Sequence, residues 1–468
     1  MDPITPLPTV TPDEAQAALD ALGARSVECV LGDFTAVARG KRVHRDDFLA
    51  LGGCKLPSVI FGLTTTTGEP KGVIGPMLPA TYDDMRLVPD LATLRPRPGR
   101  AGEATVICEP TGRWHAPHFG REIDASELSP RAALRRVVAA FEAQGLQATV
   151  APELELFLLQ RHEHDGQVHL QAPGAHPAAP ARERACEAFS LERVSHFEPF
   201  FDELFAACEA LGIPACGHAH ESAYSQYEVN FRPGAPLAQA DAVFRFKRLA
   251  REIAARHGFL ASFAPKPFLN QPGTGMHWHF SVQRTGAERE WPHLFAHEDG
   301  RSSDSLAHFI AGLQAHTPAA MAFFAPHDMS YDRITLSDAS PSHASWAEEL
   351  RSVAFRIPGC GPAARRVENR LPGGDANPYL TVAATLGMGL AGLAAAQPPH
   401  AGDDEAHRLP RRLADALDAL DASAPLRELL GAPLVDAYLG IKRHETAERN
   451  ACTDPRHQWD LVHLVELA

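Results

Sequence analysis

The 468-residue sequence has no C-x-x-C pair, and its eight cysteines stand far apart at positions 29, 54, 108, 186, 208, 216, 360 and 452. That spacing excludes a zinc finger or ribbon and, in a chain this long, a disulfide framework. The thiols read as reduced and cytoplasmic. Positive charge is in deficit: 44 Lys and Arg against 58 Asp and Glu leave a net charge of −14. This argues against nucleic acid or an anionic membrane as the partner. No basic stretch followed by an apolar run stands at Met1, so no secretory signal is expected. The one membrane-like run, residues 379–396, is rich in Ala, Gly and Thr, which predicts a buried helix rather than a span. Internal repeats are absent too. What remains is an ordinary globular composition, 45% hydrophobic and 22% charged, which excludes wholesale disorder.

Punctuation divides the chain. Thr11-Pro12-Asp13-Glu14 carries a capping box and a proline at the first helical position, and Ser129-Pro130 opens a second helix with an apolar stripe of Leu134, Val137, Val138 and Phe141. Turn chemistry around 110–125 sets a boundary, giving domains at 1–120 and 121–468. A basic hairpin is expected around Arg39-Gly40-Lys41-Arg42. Strands are expected near 26–33, 150–159, 226–232, 259–264, 275–282 and 365–371, and a long helix near 237–257. Residues 172–185 and 397–406 read as surface loops, and about the last 60 residues read as helical.

Four segments present chemistry at period two. Glu153 and Glu155 share one strand face, with Leu154, Leu156 and Leu158 behind. Near Glu221, Glu228 and Asn230 do the same. His277 and His279 follow a glycine loop, Gly273-Thr-Gly275, that lets backbone approach a ligand. Arg366, Glu368 and Arg370 alternate with Val367 and Leu371. Taken singly, each also fits a solvated strand face, a structural histidine or a surface ion-pair ladder. Together they form one repeated pattern. Two like charges about 4 Å apart repel by roughly 4 kcal/mol at an effective dielectric of 20, so converging glutamates need divalent cations. Carboxylates with an imidazole suit Mg²⁺ or Mn²⁺, and arginines beside them suit phosphate or carboxylate ligands. The pattern points to metal-assisted phosphoryl chemistry.

Glu153-Leu-Glu155, Gln226-Tyr-Glu228-Val-Asn230, Pro265-Lys266-Pro267-Phe268, Gly273-x-Gly-Met-His277-x-His279, Arg356-Ile-Pro358, Arg366-Val-Glu368-x-Arg370 and Asn377-Pro378-Tyr379-Leu380 resemble, in this order, the glutamine synthetase family. The resemblance runs from about residue 26 to the C-terminal helices. It implies an α+β fold: a small N-terminal β-grasp domain and a large catalytic domain with a funnel of antiparallel strands. It also implies ATP as a substrate and two or more Mg²⁺ or Mn²⁺ ions. Glu155, Glu221 and Glu228 match the ligands of a first ion, and Glu153, His277 and Glu368 those of a second. Gly273, His279 and Arg333 match residues that hold the acid substrate. Arg351, Arg356 and Arg370 match the cations around the transferred phosphoryl group, and Arg366 lies by position close to the nucleotide. A cytoplasmic homododecamer of two hexameric rings, acting on small molecules, is implied as well.

The sequence departs from that pattern at four places. Gly62 stands where the family offers an aspartate for ammonium, and its small size is expected to open volume there. Ala339 stands where a flap glutamate is usual, with Asp338 the nearest acid. Tyr224-Ser225 replaces the usual Pro-Gly, and Pro272 the usual Asn. The first two losses remove groups that select and deprotonate ammonium. The resemblance then implies the γ-glutamyl–amine ligase branches, acting on a polyamine, ethanolamine or an alkylamine, with Asp338 as the candidate base. The alternatives are a catalytically silent binding or structural protein, an ammonia-using glutamine synthetase, and, outside the family, a metal-dependent hydrolase.

Overall fold

The computed structural model describes residues 11–164, 167–176, 179–286, 291–336 and 340–468. Val27, Cys29, Val30 and Leu31 make β1 (Ser26–Gly32) buried along almost its whole length. It lies antiparallel to β2 (Ala38–His44) and parallel to β6 (Glu103–Thr111), and β3 (Cys54–Pro57) and β4 (Asp84–Pro89) extend the sheet in the order β2-β1-β6-β4-β3, with β5 (Arg95–Pro96) on β6. The basic residues 39–42 lie along β2 rather than in a turn. The turn is residues 33–37, because the Asp33 carboxylate accepts from the backbone N–H of Thr35 at 2.9 Å and of Val37 at 3.0 Å.

A hairpin of β7 (Arg113–Ala116) and β8 (Arg121–Asp124) leads to helix Pro130–Glu142, capped by Ser129 as its sequence demands. β9 (Leu146–His164) then runs for 19 residues and is the spine of the second sheet. β10 (Gln167–Gln171) folds back on it. The stretch read as a plain loop contains a small ladder, β11 (Gly174–His176) with β12 (Ala179–Arg182). Next come β13 (Ala215–His220), β14 (Gln226–Phe231), β15 (Leu260–Ser262), β16 (Met276–Arg284), β17 (Trp346–Glu348), β18 (Phe355–Ile357) and β19 (Val367–Asn369). Their order is β13-β14-β9-β16-β19-β18-β17, and β15 pairs with β9.

Helices pack behind this sheet. The apolar run forms helix Pro378–Ala395, and no membrane is needed to cover it. It packs along helix Asp304–Phe324 so closely that a Cβ on Gly312 would fall 2.6 Å from the backbone of Gly392. Its cap ties the two sheets together. Asn377 Oδ1 accepts from the Tyr379 and Leu380 N–H groups, while its Nδ2 donates to the carbonyls of Asp33 and Phe34 in the β1–β2 turn.

Candidate active site

Register assembles the site. In the antiparallel pairing of β9 with β14, Glu155 lies opposite Glu228 and Glu153 opposite Asn230. β16 places His277 opposite Glu153, β19 places Glu368 opposite His279, and β18 places Arg356 opposite Glu368. Directly opposed residues have Cβ atoms about 4.5–5.5 Å apart, so a one-residue slip anywhere would scatter the set. Leu154, Leu156 and Leu158 are fully buried on the other face and hold that register.

Glu155, Glu221 and Glu228 bring one carboxylate oxygen each within 4.8 Å of one another. Among the described residues no Lys, Arg or His forms an ion pair with any of the three. Their contacts are neutral donors: Gln226 Nε2 at 2.8 Å and the Gly275 N–H at 2.9 Å to Glu155, Asn230 Nδ2 at 2.9 Å to Glu228, and the Ser222 N–H at 2.8 Å to Glu221. Burial, and then the charges of Glu221 and Glu228, push the Glu155 carboxyl up to about 8. Burial and Glu153 push Glu228 up to about 7. The donor set is all carboxylate, and Gly275 leaves room at its edge: a Cβ there would fall 3.1 Å from Glu155 Oε1 and 2.5 Å from His277 Nε2. Hard oxygen ligands around an uncompensated negative cluster fit a hard divalent cation.

The neighbouring group is compensated differently. His277 Nδ1 is 3.9 Å from Glu153 and 3.8 Å from Glu368. Glu368 is fully buried and accepts from Arg356 Nη1 at 2.8 Å and Arg370 Nη1 at 2.6 Å. Burial alone would raise Glu153, but the nearby His277 and the hydrogen-bonded His279 outweigh it and hold the carboxyl well below its usual range. His279 joins Glu153 to Arg366. Arg366 Nε donates to Nδ1 at 3.2 Å, so the ring proton sits on Nε2 and donates to Glu153 Oε1 at 2.9 Å. That tautomer makes His279 an orienting donor here. Glu153, His279 and Glu368 also fall within 4.8 Å of one another, but the Nε2 proton disfavours ligation by His279.

The remaining residues lie at the edges. Arg333 is on helix Asp328–Thr335, half-buried, with Nη2 donating to the Leu371 carbonyl and Nε without a hydrogen-bond partner among the described residues. Gly273 lies against its aliphatic stem and accepts from Gln226 at 3.0 Å. The strand at 365–371 is only three residues long, so Arg366 and Arg370 flank it. Arg351 is exposed, and its carbonyl accepts from Arg370 Nε at 2.9 Å. Among the described residues its side chain has no ion pair. Asp338 and Ala339 lie outside the described residues. Gln226 received no role from its sequence, although its spacing from Glu228 and Asn230 was the signal. It is the pivot between Glu155 and the glycine loop.

Gly62 corrects one expectation. It closes a short turn, Ser58–Gly62, and a Cβ there would lie 1.9 Å from Ile74 Cδ1. The space released by the missing side chain is filled by Ile74, so no cavity opens and an aspartate could not enter without repacking.

The raised carboxyls predict a pH dependence for metal-free protein. Between about pH 4.5 and 8 the folded state keeps protons on Glu155 and Glu228 that the unfolded chain has released. Their contribution to stability is therefore present at pH 4.5 and is lost as pH rises through 7 to 8. His277, held neutral by burial, slopes the opposite way below about 6.5. The difference between wild type and Glu155→Gln isolates the effect. In chelator, wild type should lose more denaturant resistance than the variant from pH 5 to 8. Equal losses would refute the carboxylate assignment.

Comparison with known proteins follows the same lines. The family described as "Glutamine synthetase, catalytic domain" matches residues 127–461. Gamma-glutamylputrescine synthetase PuuA of Escherichia coli K12 is 30% identical over 457 residues, covering 93% of this chain and 91% of its own. A glutamine synthetase of Methanocaldococcus jannaschii is 32% identical over 394 residues, 79% of this chain and 81% of its own. A solved structure titled "Apo GmaS without ligand" superposes with a TM-score of 0.76 at 27% identity, covering 95% of this chain and 97% of that one.

Proposed function

The chain belongs to the glutamine synthetase family, and from that premise we propose that it joins the γ-carboxylate of glutamate to an organic amine through an acyl phosphate made from ATP. It is an ATP-dependent carboxylate–amine ligase of that family. The finer reading is supported by one observation: three carboxylates converge with, among the described residues, no cationic side chain paired to them, as a retained phosphoryl-transfer site would require. In this reading Glu155, Glu221 and Glu228 hold one Mg²⁺ or Mn²⁺, and Glu153, His277 and Glu368 a second. Such ions, when bound, neutralise the carboxylates and polarise phosphate oxygens.

The chain's own residues do the rest. Arg356 and Arg370, now on Glu368, stand where charge on a moving phosphoryl group needs stabilising, with Arg351 at the rim. Arg366 holds the His279 tautomer and faces the nucleotide side. Gly273, His279 and Arg333 take the acid substrate, and Asp338 is the base for the amine proton. The absence of an acid at 62, with Ile74 filling its place, removes the charge that would favour ammonium. PuuA, by its name, acts on putrescine. The reading extends to the division at 1–120 and 121–468, supported by the separate sheets. It also places the protein in the cytoplasm, as two stacked hexameric rings.

Glutamate- and amine-dependent ATP turnover, measured on a sample whose mass is fixed by light scattering, tests this. Some primary amine is expected to outpace ammonium at equal concentration. Ammonium outpacing every amine would establish the glutamine synthetase reading, to which the 32% identity with the Methanocaldococcus enzyme lends weight. Silence with all amines would leave a binding protein, amine-independent turnover a hydrolase. An active monomer would remove the rings.

A further inference from the structure

The turn between β13 and β14 carries Glu221 and delivers Gln226, so it sets two of the contacts in the carboxylate cluster. Its shape is unusual. Ser225 is buried at φ +58°, in the left-handed region that a residue with a side chain occupies only when its surroundings enforce it. Three hydrogen bonds hold Ser225 there. Its N–H donates to Glu183 Oε2 at 3.0 Å, its Oγ donates to the Leu158 carbonyl at 2.7 Å, and its own carbonyl accepts from the Leu158 N–H at 3.0 Å.

Glu183 also reaches the other end of the turn. Its Oε1 lies 2.7 Å from His220 Nε2 in a contact without hydrogen-bond geometry, an ion pair when the imidazole is protonated, with the two side chains 5% and 0% exposed. His220 Nδ1 in turn donates to the Glu221 carbonyl at 2.7 Å. One carboxylate thus holds the turn at 225 by a hydrogen bond and lies against the histidine that bonds the 221 carbonyl. The segment it comes from is anchored to the same strand, since the Phe189 N–H donates to the His220 carbonyl at 2.8 Å. None of these contacts uses the carboxylate oxygens of Glu155, Glu221 or Glu228, which meet only neutral donors.

We propose that Glu183 is a positioning residue for the cluster of Glu155, Glu221 and Glu228, and that it thereby sets the affinity of this site for a divalent cation. The inference rests on the reading that this cluster holds such an ion. Three carboxylates within 4.8 Å push one another apart when ionised, and among the described residues no Lys, Arg or His is ion-paired with them to oppose that. The turn therefore has to be clamped from outside, and Glu183 is the group that does so. Released from it, Glu221 swings away and the ion loses a ligand. Glu183 lies in an irregular stretch with no periodicity to mark it. The serine at 225, where the family has a glycine, was the one sign that something new holds the turn.

Mn²⁺ titration of the full-length protein without nucleotide, followed by electron paramagnetic resonance, tests the proposal without any assay of turnover. Wild type is expected to bind two ions. Glu183→Ala should weaken one of them by about 10–100-fold, the loss typical when a group supporting a metal ligand is removed, and leave the other unchanged. Glu183→Gln, which keeps an acceptor for Ser225 but loses the charge facing His220, should fall between. Glu187→Gln, on the same segment but paired with Arg193 at 2.6 Å, should bind as wild type does. Unchanged affinity at both sites in Glu183→Ala overturns the proposal. If that variant does not fold by circular dichroism, Glu183→Gln decides, and wild-type affinity there overturns it. Wild type that binds no Mn²⁺ overturns the cation reading itself, a result distinct from either.

Discussion

Glu155→Gln is expected to abolish amine-dependent ATP turnover, by roughly 10²–10³-fold or more, the scale seen when one group stabilising transition-state charge is lost. The variant is nearly isosteric. It retains an acceptor for Gln226 Nε2 and the Gly275 N–H, so the fold should survive. What it loses is the charge at the centre of the cluster, opposite Glu228 and within reach of Glu221. The variant should also be more stable than wild type in chelator at pH 8, because the substitution relieves repulsion that only a bound cation otherwise offsets. Greater stability together with lost turnover is the signature of a ligand site; a merely structural carboxylate would lose both. Retained turnover would end the assignment.

Arg131→Met is expected to cost about 3–5 kcal/mol of stability, because it strips the common partner from a buried ionic cluster. Arg131 is 3% exposed and reaches three carboxylates. Its Nε and Nη2 donate to Asp241 at 2.9 and 2.8 Å, Nη1 to Glu109 at 2.9 Å, and Nη2 also to Asp90 at 2.7 Å. Burial alone would lower its proton affinity, but Asp241 and the other carboxylates more than reverse this and keep the guanidinium charged. Glu109 is on β6 of the N-terminal sheet and Asp90 directly follows β4. Arg131 begins helix Pro130–Glu142, and Asp241 is on helix Pro236–Arg256, where it also accepts from the Tyr379 hydroxyl at 2.8 Å. One side chain therefore bolts the first sheet to two helices behind the second. Arg135 remains for Glu109, but Asp241 and Asp90 would lose a buried cation. Denaturant unfolding measures the loss; less than about 1 kcal/mol would show that the charges are dispensable.

Much of the site was readable from residue order. Period-two spacing put Glu153 with Glu155, Glu228 with Asn230 and His277 with His279, because alternation is a local property of a strand. Caps at Thr11 and Ser129 were readable for the same reason: each is a side chain bonding backbone three residues away. The short strand Val367–Asn369 was overextended because alternation of Arg, Glu and Arg continues past its last ladder bond. The volume expected at Gly62 was wrong because Ile74, which fills it, stands twelve residues further along the chain.

By itself, then, the sequence determined which side chains share a face, where helices begin, and which chemistry the set could perform. Cross-strand register brought those faces together, and that relates residues far apart in the chain, such as Glu155 with Glu228 and Glu153 with His277. Tertiary structure alone decided that Glu155, Glu221 and Glu228 meet with no ion-paired cation among the described residues while Glu368 meets two arginines. It also decided that Glu183 clamps the turn and that Arg131 joins the sheets. The physical reason is that charge compensation depends on distance in space and on burial, and local spacing encodes neither.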